Sequence, residues 1–109
     1  LIEEVSTQLE QMNAILKSIH AQVGYRVRDE VCFYLAHNVE AGELLSKNEA
    51  LDFCYMQKIL PRIAGSGDRV EKVLTDLALA LTADAFPLCA AKIKEMRERL
   101  DYDEFTAFW

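Results

Sequence analysis

The chain has 109 residues, of which 18 are acidic and 12 basic, for a formal charge of -6. That length suits one domain and is too short for two, and it allows roughly two-thirds of the unfolded surface to be buried. The acidic balance excludes a nucleic-acid surface that works by bulk attraction. Cys32, Cys54 and Cys89 are odd in number, far apart and set among apolar residues, which is the usage of a reducing compartment. No run reaches the roughly eighteen apolar residues of a membrane span, and "LIEEVSTQLEQ" lacks the basic flank of a signal peptide. The expectation is a cytoplasmic chain without membrane contact. An opening without Met, already inside a helical pattern, reads as an excised piece of a longer protein.

The first element carries Val5, Leu9, Met12, Leu16, Ile19 and Val23 at alternating spacings of four and three, which predicts one helix of about twenty residues with a single apolar stripe. A second helix runs from about Arg26 to Glu40, with Val27, Val31, Tyr34, Leu35 and Asn38 on one side. Gly24 and Gly42 punctuate its ends. The third begins at Ser46, where "SKNE" spells a capping box, and continues to Pro61, where the ring and the missing amide stop or kink it. Leu51, Cys54, Tyr55 and Ile59 mark one face of this helix and Phe53, Met56 and Leu60 another, so it is read as central.

"RIAGSGD" is a turn, and Asp68 with Glu71 repeats the capping pattern for a fourth helix carrying Val70, Val73, Leu74, Leu77 and Leu81. The fifth starts near Pro87, a residue suited to a first helical turn, and uses Ile93, Met96 and Leu100. Residues 101–109, "DYDEFTAFW", form an aromatic tail. No period-two stretch of strand length appears, and the fold class expected is all-α, a compact five-helix bundle in one domain, 1–109.

Chemistry of its own is hard to find. His20 and His37 are isolated, there is no HExxH and no CxxC pair, and no metal site is expected. Cys32 and Cys54 lie in apolar helix interiors, where thiols are inert, and His37 is on a different face from Cys32. Asp101 and Asp103 lie in a tail with nothing to fix a general acid and base. "GSGD" lacks the lysine and the GxxxxGKS/T spacing of a P-loop. "GYR" differs: a guanidinium beside the free amides of a helix start suits a phosphate. Arg28 points roughly 200° away from Arg26, so the two cannot share a ligand. Arg26, nearest the helix end, is the better candidate, while a surface salt bridge to Glu30 or Asp29 is the plainer explanation.

The combination of "GYRVRDEV", "ALDFCYMQKILPRIAGSG", "FPLCAAKIKEMRERL" and "FTAFW" resembles the C-terminal end of the McrB-type AAA+ NTPases, the nucleotide-hydrolysing subunits of modification-dependent restriction systems. The resemblance runs from Val23 onward, and residues 1–22 match loosely as a leading helix out of the ATPase core. It implies an AAA+ lid-like bundle in which Arg26 takes the role of the sensor 2 arginine that reaches the phosphates of bound nucleotide. No cofactor would sit in this chain alone. The parent would use GTP or ATP with Mg²⁺ bound by an N-terminal AAA+ core, and would work as a hexameric ring with a McrC-like endonuclease subunit, meeting DNA through other domains only. Gln57, Lys58, Pro61, Gly65 and Gly67 match the family block as structural or interface residues. Phe105, Phe108 and Trp109 are expected to dock on the lid or a neighbouring subunit. Two rivals stand beside this reading: a freestanding acidic helical interaction module, and a helix-turn-helix DNA-binding domain built on the second and third helices.

Overall fold

A computed structural model describes residues 2–109. Five α-helices form it: α1 (Ile2–Leu16), α2 (Tyr25–Glu40), α3 (Lys47–Lys58), α4 (Asp68–Ala80) and α5 (Pro87–Asp103). Short 3-10 turns follow α1 (Lys17–Ile19) and α3 (Leu60–Arg62). The radius of gyration is 13.9 Å, close to the ~13 Å of a compact chain of this length. The expected leading helix over residues 1–22 includes Leu1, which lies outside the described residues.

That first helix is shorter than its apolar stripe suggests. Val5, Leu9, Met12 and Leu16 are buried on α1, but His20 adopts a left-handed conformation (φ 55°) and ends the helical run. Val23 is buried too, in the connection after the helix instead of on it. The side chain of Asn13 holds it there: its Nδ2 donates to the Val23 carbonyl at 2.9 Å and its Oδ1 accepts from the Val23 amide at 2.8 Å. Asn38 repeats the device at the other end of α2, gripping the carbonyl and amide of Leu45 at 2.7 and 3.1 Å. Each asparagine supplies the loop with the pair of bonds a neighbouring strand would otherwise give.

α3 is central, packed against α2 and α5, with Ala50, Leu51, Cys54 and Tyr55 buried. Its capping box forms as the sequence predicts: the Glu49 amide donates to Ser46 Oγ at 3.2 Å and the Ser46 amide donates to Glu49 Oε1 at 3.1 Å. The helix stops at Lys58, and Pro61 lies inside the 3-10 turn that follows.

The capping box expected at Asp68 does not form. Gly67, at φ 89°, occupies the N-cap, and Asp68 is the first helical residue. Asp68 and Glu71 instead put carboxylates in the first turn, where the helix dipole favours them. A second difference is a two-residue antiparallel ladder between Ala64–Gly65 (β1) and Thr106–Ala107 (β2). Segments this short carry no period to read, and the bundle remains all-α in architecture.

The capping box has a consequence for pH dependence. The Ser46 amide and hydroxyl hold Glu49 below its ordinary value of 4.5, and Lys58 does the same for Glu30. A carboxylate depressed on folding adds stability in full above its unfolded value, and that contribution is lost as the pH falls through the lower folded value. Thermal melts of the protein are therefore expected to shift downward as the pH is lowered from 5 toward 3 (pH values on the order of the carboxylate range). In Ser46→Ala the melt is lower near neutrality by about 1 kcal/mol of stability, and its acid-side slope is shallower than the parent's.

Candidate functional site

The start of α2 is built from Gly24 to Glu30. Gly24 is the N-cap in extended conformation and no side chain caps the helix, so its first amides have no side-chain acceptor. Arg26 follows in the first turn, its side chain 91% exposed, with Nε 3.4 Å from Glu30 Oε1 one helical turn on. Glu30 Oε2 also meets Lys58 Nζ of α3 at 2.8 Å. Arg26, Glu30 and Lys58 thus form a chain of charges across the α2–α3 seam. Lys58 is accounted for by this pair, and Gln57 beside it is exposed.

Arg28 faces elsewhere. Its Nη2 is 3.1 Å from Asp29 Oδ1, and its guanidinium lies 4.8 Å from the centre of the Tyr25 ring. It lines a hollow of about 370 Å³ against α1, with Glu10, Asn13, Gly24 and Tyr25, whereas Arg26 borders a separate one with Asp29, Glu30 and Phe33. The two arginines have different partners and different surroundings, as their angular separation requires.

The Gly-x-Arg arrangement occurs a second time, at Gly67, Asp68 and Arg69 on α4. Arg69 is exposed and makes no ion pair among the described residues. The hollow beside this helix start is lined by Gly67, Asp68, Glu71, Asp101 and Glu104, and four carboxylates there oppose an anionic ligand. The glycines of this turn have backbone reasons for being glycine. Gly65 has φ 136°, and a Cβ on it would come within 3.2 Å of Val70 Cγ2; Gly67 is likewise in the left-handed half of the map. Pro61 is half-buried in the preceding turn.

The aromatic tail divides. Phe108 packs against the core under Lys92, whose Nζ is 4.6 Å from the ring centre, while Phe105 and Trp109 stay exposed. Two residues that were not singled out in the sequence hold the tail down. Thr106, fully buried, donates its hydroxyl to the Met96 carbonyl at 2.8 Å, and Arg99 Nη1 donates to the carbonyls of Ala107 and Trp109 at 2.8 and 2.9 Å.

Asp52 also escaped the sequence. It is 1% exposed, and its carboxylate accepts from the amides of Leu88 (2.8 Å) and Cys89 (2.8 Å) at the start of α5. α5 has Phe86 at its N-cap with no side-chain cap of its own, and Asp52 of α3 supplies one from across the core. The available signals were a carboxylate inside the apolar run "ALDFCYM" and a helix that opens on Pro87 without a capping residue.

No group of three His, Cys, Asp or Glu among the described residues could hold a metal ion. Among the described residues the thiols are unpaired. Burial pushes the Cys54 thiol up to about 11, partly offset by Lys58, and burial with the Asp52 hydrogen bond pushes Cys89 further in the same direction. Neither is a nucleophile near neutral pH. Labelling with a thiol reagent at pH ~8 is expected to modify the half-buried Cys32 first. Cys54 and Cys89 should react only on unfolding, and fast labelling of either in the native protein would contradict this account.

α3 is covered by α2 and by α5, which leaves it unavailable as a recognition helix in a DNA groove. No helix among the described residues is long and apolar enough to cross a membrane. No curated protein and no solved structure matches the chain. The domain family described as "Domain of unknown function (DUF8727)" matches residues 1–105, nearly the full length, and the chain belongs to that family.

Proposed function

We propose that this bundle is the helical lid of a McrB-type AAA+ NTPase, and that Arg26 is the arginine it extends toward bound nucleotide. The observation that carries the reading is the placement of Arg26: in the first turn of a helix with no side-chain cap, almost wholly in solvent, and tied among the described residues only to Glu30. A surface pair of this kind exchanges readily for a better anion. Glu30 would not be orphaned by the exchange, because Lys58 holds its other oxygen at 2.8 Å. A phosphate arriving at the helix start would meet the guanidinium and the first amides of α2 together.

In this reading the bundle hydrolyses nothing alone. An N-terminal AAA+ core in the same protein would bind GTP or ATP with Mg²⁺, and subunits would assemble in a hexameric ring alongside a McrC-like endonuclease in DNA defence. The lid's share is electrostatic: a guanidinium near the γ-phosphate offsets charge during phosphoryl transfer and ties lid orientation to whether that phosphate is present.

The reading frame upstream of Leu1 tests this directly. It is expected to encode GxxxxGKS/T followed by a Walker B acidic pair, continuous with this chain. An initiator Met close to Leu1 would contradict it and favour a freestanding interaction module, for which the groove between α2 and α3 is the supporting feature.

A further inference from the structure

Arg26 shares its hollow with Asp29, Glu30 and Phe33, so two carboxylates stand where they would compete with an arriving anion and repel it. Each of them is taken by a second cation that does not line that hollow. Asp29 Oδ1 accepts from both Nε and Nη2 of Arg28, at 3.3 and 3.1 Å. Glu30 divides its oxygens: Oε1 lies 3.4 Å from Arg26 Nε, and Oε2 lies 2.8 Å from Lys58 Nζ of α3. The Lys58 contact is the shorter, and Lys58, ahead of Arg26, holds the Glu30 carboxyl below its ordinary value of 4.5. Both outer cations are anchored. The Arg28 guanidinium lies 4.8 Å from the centre of the Tyr25 ring, and Lys58 ends α3, where the helix dipole favours a positive charge.

We infer that Arg28 and Lys58 are positioning residues that reserve Arg26 for phosphate, each neutralising one carboxylate of the Arg26 hollow from outside it; the inference rests on the phosphate contact proposed for Arg26. Neither residue touches the ligand. With Asp29 and Glu30 neutralised by Arg28 and Lys58, the charge of Arg26 is left for an incoming anion. Lys58 has the larger share, because Glu30 is the carboxylate that already sits on Arg26. While Lys58 is in place, Glu30 can release Arg26 and still keep a cation. Without Lys58, Arg26 would be the one cation left to Glu30 among the described residues, and the pair would tighten into an internal competitor for the phosphate. Because Lys58 belongs to α3, the packing of α3 on α2 then sets how readily Arg26 is released.

Steady-state hydrolysis of GTP and of ATP, each with Mg²⁺, by the complete protein is the test, with nucleotide concentration and salt both varied. Lys58→Met should raise KM by about three- to tenfold, with a smaller change in kcat, and the defect should shrink as salt screens the uncovered carboxylate. Arg28→Met should act in the same direction but more weakly, since Asp29 is 70% exposed. Rescue is the decisive arm. Adding Glu30→Gln to Lys58→Met removes the competing carboxylate and should return KM to the parental value or below it, and Lys58→Arg, which keeps a cation at the α3 end, should recover most of the loss. A parental KM in Lys58→Met, beside a clear defect in Arg26→Ala, overturns the inference and leaves the role of Arg26 standing. A defect in Lys58→Met that Glu30→Gln does not relieve also overturns it, and makes Lys58 a strut between α2 and α3. Parental hydrolysis in Arg26→Ala removes the phosphate contact itself, and this inference with it.

Discussion

Replacing Asp52 with alanine is expected to lower stability by about 3 kcal/mol and the melting temperature by roughly 10–20 °C. The carboxylate accepts from the amides of Leu88 and Cys89, both at 2.8 Å, and is almost fully removed from water. Truncation leaves those two donors at the buried start of α5 without acceptors, and hydrogen bonds to charged groups are among the costliest to remove. It also breaks the polar joint between α3 and α5, two helices that share the core through Leu51, Tyr55, Cys89 and Ile93. Asp52→Asn keeps one acceptor and presents an NH₂ to the other amide, so its loss should fall between parent and alanine. Urea denaturation checks both: the midpoint should move in that order with the slope unchanged. An alanine variant within ~0.5 kcal/mol of the parent would show that α5 starts without help from Asp52.

What could be read from sequence was mostly local. The capping box at Ser46 involves residues three apart, and it forms as its spacing predicts. Val27, Val31 and Leu35 of α2 and the apolar faces of α4 and α5 are buried where their period places them, whereas Tyr34, read on the same side of α2, is exposed. Errors arose where a distant group decides the backbone. The stripe through Val23 suggested helix because Val23 is indeed buried, yet the Asn13 side chain ten residues earlier takes both its backbone groups outside the helix. No short-range pattern announces that pairing. Asp68 read as a cap because it precedes an apolar run, but Gly67 takes the position with a backbone angle that other residues rarely adopt.

The site was legible in the same uneven way. The place of Arg26 beside the free amides of the α2 start was visible at once, and so was the prospect of a pair with Glu30. The role of Lys58 as the second partner of Glu30 was not, because it depends on how α2 and α3 pack. Phe105, Phe108 and Trp109 were expected to dock on the bundle or a neighbouring subunit; Thr106 and Phe108 anchor the tail to the bundle, while Phe105 and Trp109 are exposed. Threonine 106 carried no signal, since a lone hydroxyl in "EFTAF" looks like any surface threonine.

Arg26 carries the larger functional expectation. In the complete protein, Arg26→Ala should reduce nucleotide hydrolysis by about ten- to a hundredfold, the scale of removing one preorganised positive group from a phosphoryl-transfer site. Folding of the bundle should be unaffected, because the side chain is 91% exposed and its partner Glu30 retains Lys58. Arg26→Lys should recover only part of the rate, since an ammonium keeps the charge but lacks the planar fork. Arg69→Ala is the matched control from the other Gly-x-Arg helix start, whose acidic surroundings oppose a phosphate. The measurement that bears most directly on the lid reading is therefore steady-state nucleotide hydrolysis by the complete protein carrying Arg26→Ala or Arg69→Ala, with ring assembly followed in parallel. A large loss in Arg26→Ala, together with weakened nucleotide-dependent assembly and a near-parental Arg69→Ala, is the predicted result. Hydrolysis at the parental rate with unchanged assembly in Arg26→Ala would contradict it.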